Sequence, residues 1–387
     1  MTEMYDEGLA NILVVGVGGA GGNAVNRMIE NEIGGVNYLA VNTDVMALDQ
    51  SLTPEDNRIV IGKKVTRGLG AGGRPAVGYD AAKESKDEIS ARLEGADMVF
   101  ITAGMGGGTG TGAAPLIADL SKSMGALTVG VVTKPFTFEG RKRARFAEEG
   151  INSIKDAVDT LIVIPNENLI GVSNKNTTLN DAFKMADEVL MQGVSGISNL
   201  ISNTGIINVD FADVKTIMSN KGIAHMGIGT ADNVAEAMLE AINSPLLETS
   251  INGAKYVLVN ITGDENLSLY DVNEAMTPVE EIVDPDAEII FGTSVNNNLK
   301  GDVIVTLVVT GLSNTGDVQQ PSFSAPAPVE TAPQPAVQRE VSLPETNSHR
   351  NSSSFVLERE ERQPGEENSE RFKNAEINIP DFLRRRS

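Results

Sequence analysis

Cysteine and tryptophan are absent from this 387-residue chain, and histidine occurs only twice, as His225 and His349. Without cysteine there can be no disulfide, thiolate nucleophile or thiolate metal site. Two histidines argue against a histidine-rich metal site and a catalytic triad. No apolar run approaches the length that spans a membrane, and the acidic start at residues 1–11 does not resemble a secretory signal. We therefore expect a soluble, cytoplasmic protein.

Acidic residues outnumber basic ones, and the formal net charge is −22. From Val318 onward there are 11 acidic and 9 basic residues, whereas the preceding part has 42 acidic and 22 basic residues. The excess negative charge thus belongs to the part with enough apolar residues to fold. Such a surface argues against nucleic acid and anionic membranes as partners. It favours a protein whose self-repulsion is screened by counterions such as Mg²⁺.

Apolar runs alternate with helical patterns in the first half of the chain. The predicted strands are Ile12–Val15, Val36–Asn42, Met98–Thr102, Leu127–Thr133 and Thr160–Pro165. The predicted helices are Asn23–Asn31, Ala81–Leu93, Ala113–Met124 and Arg141–Ala157. This alternation predicts βαβ units around a parallel sheet. Ligand-binding loops are then expected at the carboxyl ends of the strands.

A long helix is predicted at Leu179–Asn203, behind a capping box formed by Thr178 and Asp181. Its apolar positions step by three and four and predict one buried stripe: Leu179, Phe183, Ala186, Leu190, Val194, Ile197 and Ile201. Two shorter helices (Ala212–Ser219 and Asn233–Ile242) and three strands (Tyr256–Thr262, Ala287–Thr293 and Asp302–Thr310) follow. They predict a second, smaller α+β domain, and we interpret His225, in the glycine-rich stretch Gly222–Gly229, as structural or exposed.

The composition changes near Ser313. Seven of the sixteen prolines lie between Pro321 and Pro364, among polar residues with few apolar ones, which predicts a disordered linker. The chain becomes apolar again at Ile377–Leu383 and then carries three arginines, Arg384–Arg386. A hydrophobic and basic peptide at the end of a tether is typical of a docking motif.

Three glycine-rich stretches are the main functional signal: Gly16–Gly22, Gly68–Pro75 and Gly104–Ala113. The first matches G-x-G-x-x-G after a strand, so together with Asp44 it also fits a dinucleotide-binding enzyme, or simply a tight turn. Three such loops on one sheet edge favour a nucleoside triphosphate held by backbone N–H groups. The G-x-x-x-x-G-K-[ST] motif of other nucleotide hydrolases is missing.

Two carboxylates three residues apart, Asp210 and Asp213, follow the long helix. They can be an N-cap and a favourable partner of the helix dipole. General-base carboxylates are also what phosphoryl transfer usually needs.

The run Gly106–Gly112 (GGGTGTG) resembles the phosphate loop of the tubulin/FtsZ GTPases. Asn208, Asp210 and Asp213 are similar to the loop with which FtsZ-family subunits complete a neighbour's site, and Ile379-Pro380-x-Phe382-Leu383-Arg384 is similar to the family's terminal peptide. Ala20, where glycine is common, and Asp381, within that peptide, depart from the pattern. The resemblance covers both globular domains, the linker and the peptide.

This resemblance implies the fold class and the domain organisation. A tubulin-like GTPase domain with a Rossmann-like parallel sheet is joined by a long central helix to a smaller α+β domain, with a disordered C-terminal tail. The implied segments are a flexible arm (1–11), the GTP-binding domain (12–177), the central helix (178–203), the activating domain (204–316), the linker (317–373) and the adaptor-binding peptide (374–387).

The resemblance also implies which residues form the site. The catalytic positions are Asn208, Asp210 and Asp213. The implied contacts to GTP or GDP are Gly19, Ala20, Gly21, Gly22, Asn23, Arg27, Ala71, Gly72, Gly104, Gly106, Gly107, Gly108, Thr109, Gly110, Thr133, Glu139, Arg143, Asn166, Phe183 and Asp187. The implied partner-binding residues are Ile379, Pro380, Phe382, Leu383 and Arg384.

Within that set, the family pattern implies that Phe183 lies against guanine and that Asp187 accepts its N–H groups. Asn166, Glu139 and Arg143 match positions on the ribose and base side, whereas Arg27 and Thr133 match more peripheral contacts. Phe183 can instead be a core residue, and Glu139 and Arg143 can be a surface i,i+4 ion pair.

The implied function is a self-assembling GTPase of the bacterial division ring, at mid-cell, that uses GTP and Mg²⁺. Its head-to-tail filaments complete each active site between subunits and bind membrane-associated adaptors through the terminal peptide. A nucleotide-binding scaffold without turnover remains an alternative, because it shares the fold. A dinucleotide-dependent oxidoreductase is the other alternative, but it leaves two glycine loops and the tail unexplained.

Overall fold

A computed structural model describes residues 10–173, 176–202, 207, 209–247, 250–264, 267–296, 299 and 301–312. The predicted linker (317–373) and adaptor-binding peptide (374–387), with all five partner-binding residues, lie outside the described residues. So do Asn208 and most of the predicted N-terminal arm.

Within the described residues, ten strands form one sheet in the order β3-β2-β1-β4-β5-β6-β7-β10-β8-β9. The strands are β1 (Ile12–Val17), β2 (Asn37–Asn42), β3 (Arg58–Val60), β4 (Met98–Gly104), β5 (Leu127–Lys134), β6 (Thr160–Pro165), β7 (Gly222–Ala231), β8 (Tyr256–Gly263), β9 (Glu288–Val295) and β10 (Val303–Thr310). Neighbours from β3 to β7 run parallel. Strand β10 is antiparallel to β7 and β8, and β8 and β9 are parallel. The fold is therefore α/β with a mostly parallel sheet and a C-terminal α+β part, as predicted.

Helices cover both faces of this sheet. They are α1 (Gly18–Glu30), α2 (Val45–Asp49), α3 (Lys63–Thr66), α4 (Pro75–Glu84), α5 (Lys86–Leu93), α6 (Thr109–Ser123), α7 (Arg141–Lys155), α8 (Leu169–Val172), α9 (Leu179–Ser202), α10 (Phe211–Met218), α11 (Val234–Ile242) and α12 (Leu269–Ile282). None of the helices in the described ranges is both long enough and apolar enough to cross a membrane.

Alternation along the central strands separates two hydrophobic cores. Phe100 of β4 points to the face covered by α1 and α9, where Met28 and Leu190 are buried. The next residue, Ile101, points to the opposite face, where Ile117 of α6 is buried. Because successive side chains of a strand point to opposite faces, one buried strand serves both cores. A third core lies between α11, α12 and the C-terminal strands.

Two helices begin earlier than the sequence predicted. Helix α1 begins at Gly18 rather than Asn23, and α6 begins at Thr109 rather than Ala113. The glycine-rich stretches are therefore partly the first turns of helices, because glycine disfavours but does not prevent helix formation. This places the unpaired amides of two helix N-termini directly at the ends of β1 and β4.

One predicted helix was wrong in its extent, and one helix and one strand were not predicted. The predicted helix Ala81–Leu93 is two helices that meet at Ser85, and α12 was not predicted. Strand β7 was missed because its glycines obscured the pattern. A Cβ at Gly227 or Gly229 would lie 2.1 or 2.0 Å from a carbonyl oxygen of α11, so glycine there permits close packing of helix on strand.

The apolar stripe of α9 is buried over only part of its length. Ala186, Leu190, Val194 and Ile197 are buried, whereas Leu179 and Phe183 are 60% and 38% exposed. The prediction of one buried stripe is therefore wrong at the N-terminal end. The capping box is confirmed, since Asp181 N donates to Thr178 Oγ1 (3.2 Å) and Thr178 N donates to Asp181 Oδ2 (3.3 Å).

Candidate functional site

A cavity of about 200 Å³ lies at the carboxyl ends of β1, β4, β5 and β6. Thirteen of the predicted nucleotide contacts line it: Gly19, Ala20, Gly104, Gly107, Gly108, Thr109, Gly110, Thr133, Glu139, Arg143, Asn166, Phe183 and Asp187. Parallel strands with helices on both faces bind ligands at this edge of the sheet. The structure thus brings together residues that are up to 168 positions apart in the sequence.

One end of the cavity is formed by the N-termini of α1 and α6. The first-turn amides of a helix have no partner within the helix, and the helix dipole makes this end attractive to anions. An added Cβ at Gly19 or Gly107 would meet no atom within 4 Å, so neither glycine is required by packing. They leave the backbone N–H groups uncovered, as a phosphate site requires.

Other glycines of the same loops are needed for packing. A Cβ at Gly21 would lie 2.3 Å from the carbonyl oxygen of Thr102, so Gly21 allows α1 to approach β4. A Cβ at Gly108 would lie 2.7 Å from Cβ of Ala71. Gly106 is buried and has a φ of +98°, a conformation that favours glycine. Gly21, Gly106 and the buried Ala71 therefore support the cavity from behind rather than line it.

Hydrogen bonds through Thr43 connect two of the three glycine-rich stretches, Gly68–Pro75 and Gly104–Ala113. Thr43 Oγ1 and Thr109 Oγ1 are 2.7 Å apart and buried, which joins the end of β2 to the start of α6. Gly106 N donates to Thr111 Oγ1 at 2.8 Å, and Gly70 N donates to the carbonyl oxygen of Thr43 at 3.0 Å. The anion-binding end of the cavity is therefore held in place before any ligand arrives.

Glu139 and Arg143 form one side of the cavity. Glu139 Oε2 lies 2.8 Å from Arg143 Nη1, and Glu139 Oε1 accepts from Phe136 N at 2.9 Å. The Glu139 side chain is only 6% exposed, whereas that of Arg143 is 51% exposed. Glu139 and Arg143 thus form the i,i+4 ion pair of the alternative interpretation. The pair is not simply a surface feature, however, because the Glu139 carboxylate is buried at the cavity wall.

Three phenylalanines meet at the other end. Phe136 and Phe138 stack with ring centroids 4.9 Å apart, and Phe183 contacts both edge-on at 5.6 and 6.2 Å. Phe183 belongs to this cluster and to the cavity wall, not to the core of α9. Phe136 and Phe138 were not predicted, although a signal existed. The chain has only 11 phenylalanines, and two of them flank Thr137, directly before Glu139.

Two polar acceptors complete this end of the cavity. Asn166 is 5% exposed, and its Oδ1 is buried without a hydrogen-bond partner. Burial raises the pKa of the Asp187 carboxyl to about 7, and the positive charge of Arg27 acts in the opposite direction. An unsatisfied acceptor and a desolvated carboxyl are costly in the free protein, and a ligand with N–H donors satisfies both.

The remaining predicted contacts lie outside this cavity. Gly22 and Asn23 line a polar cavity of about 150 Å³ on the other side of the α1 N-terminus. Arg27 lines a larger cleft of about 490 Å³ along α9, and Gly72 is exposed to solvent.

Asp210 and Asp213 are far from the cavity in the same chain. Asp210 is the N-cap of α10, because its Oδ1 accepts from Asp213 N at 2.8 Å, and both residues are exposed. They follow the C-terminal end of α9, whereas Asp187 lies near its start. The 15 residues from Asp187 to Ser202 alone span about 22 Å of helix.

The fold and the cavity define an α/β protein of the nucleotide-binding type, in which two helix N-termini rather than a lysine-containing loop border the cavity. Comparison with known families agrees. Residues 11–174 match the GTPase domain of the Tubulin/FtsZ family, and residues 222–313 match the C-terminal domain of the FtsZ family.

Solved structures give the same result. An empty FtsZ dimer from M. jannaschii is 48% identical with a TM-score of 0.77, covering 80% of this chain and 90% of that one. A variant of the same M. jannaschii protein is 49% identical with a TM-score of 0.75, covering 78% and 91%. GDP-bound CetZ1 from Haloferax volcanii is 21% identical with a TM-score of 0.69, covering 79% and 96%, and so supports the fold alone.

The chain belongs to the FtsZ family of tubulin-like GTPases. This assignment favours a GTPase over the dinucleotide-dependent oxidoreductase.

Proposed function

We propose that the cavity binds GTP, with the triphosphate at the N-termini of α1 and α6 and the base near Asp187. Glu139 and Arg143 then face the ribose between the two ends. The bare amides at Gly19 and Gly107 support the orientation of the phosphates. Phe183 offers an exposed ring edge beside the base.

Guanine fits the polar end of the cavity better than adenine does. Its edge carries an N1–H and a 2-amino group, and an ionised carboxylate is a pure acceptor that can bind both. The unpaired Oδ1 of Asn166 offers a further acceptor in the same place. Adenine presents no adjacent pair of donors there, so it would leave buried acceptors unsatisfied.

Mg²⁺ fits this site as a companion of the phosphates rather than as a protein-bound metal. Among the described residues, no group of three or more His, Asp or Glu could hold a metal ion, and the carboxylates that line the cavity are Glu139 and Asp187. Mg²⁺ commonly keeps several waters and binds phosphate oxygens, where it neutralises charge.

We further propose that hydrolysis requires a second copy of the chain. A single observation carries this proposal: the carboxylates that could orient water, Asp210 and Asp213, lie beyond the opposite end of α9 from Asp187. Head-to-tail stacking would bring the exposed pair of one subunit to the triphosphate of the next. One relative supports such self-association, since the structure from M. jannaschii is described as an FtsZ dimer.

Phosphate release from GTP with Mg²⁺, measured over a range of protein concentrations, tests this proposal. We expect almost no release below a threshold concentration and a steep rise above it, because subunits must first associate. Release proportional to protein concentration throughout would mean that each chain holds a complete site. GTP binding without release at any concentration would support the non-hydrolysing scaffold instead.

The wider role that we propose is a cytoplasmic filament of the division ring at mid-cell. The peptide at 374–387 would bind membrane-associated adaptors through Ile379, Pro380, Phe382, Leu383 and Arg384, and the linker at 317–373 would provide slack. Deleting residues 374–387 should leave GTP turnover unchanged and abolish recruitment of the filament to adaptor-bearing membranes. Loss of turnover in this deletion would contradict the proposed division of labour.

A further inference from the structure

We propose that Thr293, on strand β9, is a positioning residue for hydrolysis: it clamps the chain at Ile207 and thereby fixes the carboxylates of Asp210 and Asp213. The inference rests on the proposed split site, and it adds a residue that acts through the backbone rather than on the nucleotide.

Two hydrogen bonds join Thr293 to Ile207. The backbone N–H of Thr293 donates to the carbonyl oxygen of Ile207 at 3.1 Å, and the backbone N–H of Ile207 donates to Thr293 Oγ1 at 3.0 Å. A single residue therefore holds both backbone polar groups of Ile207. Thr293 is only 4% exposed, so these bonds lie where water competes little for them.

The side-chain bond makes the clamp depend on the type of residue at position 293. Between two regular strands both bonds would join backbone groups, and almost any residue could make them. Here the Ile207 N–H donates to a hydroxyl, which threonine or serine supplies and an apolar residue does not. Strand β9 is the last in the order of the sheet, so the clamp holds the chain against a sheet edge.

Close packing brings the same stretch of chain against β9. A Cβ at Gly292 would lie 2.9 Å from Cγ2 of Val209 and 3.2 Å from the carbonyl oxygen of Ile207, so glycine is needed for this approach. Val209 is buried, and Asp210 follows it directly. Three steps of chain from Ile207 to Asp210 span at most about 10 Å. The clamp at Ile207 thus limits the positions that Asp210 can take.

Asp210 transmits this constraint to Asp213. Its Oδ1 accepts from Asp213 N at 2.8 Å and caps α10, whose Val214 is buried in the core. Both carboxylates are exposed, so the backbone on either side determines where they lie. Such accuracy matters for catalysis, because a displacement of about 1 Å can lower a rate about 10²-fold.

Thr293→Val tests the clamp, because it removes the hydroxyl and keeps the backbone N–H and the branched shape. At saturating GTP with Mg²⁺, phosphate release per assembled subunit should fall about tenfold or more. GDP affinity should be retained, and the threshold concentration for assembly, measured by pelleting, should not rise. Thr293→Ser keeps the acceptor and should retain most of the release.

Ser294→Ala is the matched control. Ser294 is the next residue of β9, is also buried, and bonds through its Oγ to Asn260 Oδ1 at 3.1 Å rather than to Ile207. Its removal costs β9 a buried hydrogen bond without loosening the clamp. Release per assembled subunit should therefore stay close to that of the unaltered protein.

Mixing variants separates positioning from a general loss of stability. At a GTP concentration that saturates only an intact cavity, Asp187→Ala should raise release from Thr293→Val above the sum of the two alone, because Asp187→Ala supplies an intact acidic pair. Asp213→Ala should not, because neither chain then supplies one. If Thr293→Val folds poorly, Thr293→Ala takes its place, since it puts no methyl group against the Ile207 N–H.

Unchanged release per assembled subunit in the Thr293 variants that lack the hydroxyl would overturn the inference. Equal recovery with both mixing partners, or an equal loss in Ser294→Ala, would overturn it as well. Undiminished release from Asp213→Ala would refute the proposed split site itself. Release lost in Asp213→Ala but kept in Thr293→Val would leave the split site standing and remove only the role of Thr293.

Discussion

The two ends of α9 differ in what their exposed residues can do. At the N-terminal end, Phe183 and Asp187 border a cavity that contains two helix N-termini and one buried acceptor without a hydrogen-bond partner, Asn166 Oδ1. Beyond the C-terminal end, Asp210 and Asp213 are exposed at the start of α10. In the proposed mechanism, the first end binds the nucleotide and the second acts on the nucleotide of a neighbouring subunit. The difference indicates that binding and turnover are separable, and each prediction below tries to separate them.

The largest expected effect concerns turnover alone. Asp213→Ala should reduce GTP hydrolysis by about 10²–10⁴-fold, as loss of a water-orienting group does, while leaving GDP affinity nearly unchanged. Phosphate release and equilibrium nucleotide binding measure the two quantities. Glu236→Gln is the matched control, because Glu236 is likewise an exposed acidic residue in the first turn of a helix in the same part of the chain. Loss of GDP binding in Asp213→Ala would contradict the separation.

The converse change should affect binding. Asp187→Ala removes a carboxylate that accepts from the base, so we expect GDP affinity to fall about 10- to 100-fold. Turnover at saturating GTP should be retained, because the phosphate end of the cavity is untouched. A steady-state analysis that separates KM from kcat checks this. An unchanged KM with a reduced kcat would place Asp187 in the chemistry instead.

Two glycines of the stretch Gly16–Gly22 allow a role in packing to be separated from a role in nucleotide binding. Gly21→Ala places a Cβ 2.3 Å from the Thr102 carbonyl oxygen, and such overpacking should cost about 1–3 kcal/mol of stability. Gly19→Ala meets no atom within 4 Å, so thermal stability should be retained while GDP affinity falls. Thermal unfolding of the nucleotide-free variants and GDP titration distinguish the two. Equal destabilisation by both would show that Gly19 is also a packing residue.

The smallest expected effect is the pH dependence of stability without nucleotide. Burial raises the pKa of Asp187 from 3.8 to about 7, so the folded protein holds a proton that the unfolded chain releases between those values. The contribution of Asp187 to stability is therefore present below pH 4 and is lost as the pH rises to 7. Asp187→Asn should remove this loss of stability and raise the free energy of unfolding by about 1–3 kcal/mol at pH 8.

Asp181 provides a control of opposite sign on the same helix. Hydrogen bonds from Thr178 lower the pKa of Asp181, so its contribution is present at neutral pH and is lost on acidification. Asp181→Asn should therefore destabilise the protein at pH 7, where Asp187→Asn stabilises it. Chemical unfolding at several pH values measures both. A gain in stability from both substitutions would contradict the assigned directions.

Much of the binding end could be predicted from sequence, because its signals are local. The loops around Gly19 and Gly107 follow apolar strands, and the capping box at Thr178 marks the start of α9. Strand β7 was missed because Gly227 and Gly229 serve packing against α11, which a one-dimensional pattern does not reveal.

The division of labour among the glycines also required the structure. Gly19 and Gly21 lie two positions apart in the same glycine-rich stretch, yet a Cβ at Gly19 would meet no atom within 4 Å and one at Gly21 would meet a carbonyl oxygen. Likewise, the burial that raises the pKa of the Asp187 carboxyl follows from the packing of α9 and is not visible in the sequence. Resemblance to a family indicates which positions belong to the site. It does not indicate which of them line the cavity and which pack behind it.

The most direct test of the split site is to mix two variants that are each defective. Asp213→Ala keeps a complete nucleotide cavity, and Asp187→Ala keeps the Asp210–Asp213 pair. Phosphate release from an equimolar mixture is measured at a GTP concentration that saturates only an intact cavity. The account predicts release well above the sum of the two variants alone, because mixed contacts unite one intact cavity with one intact acidic pair. Release equal to that sum would contradict it and would mean that each chain hydrolyses GTP by itself.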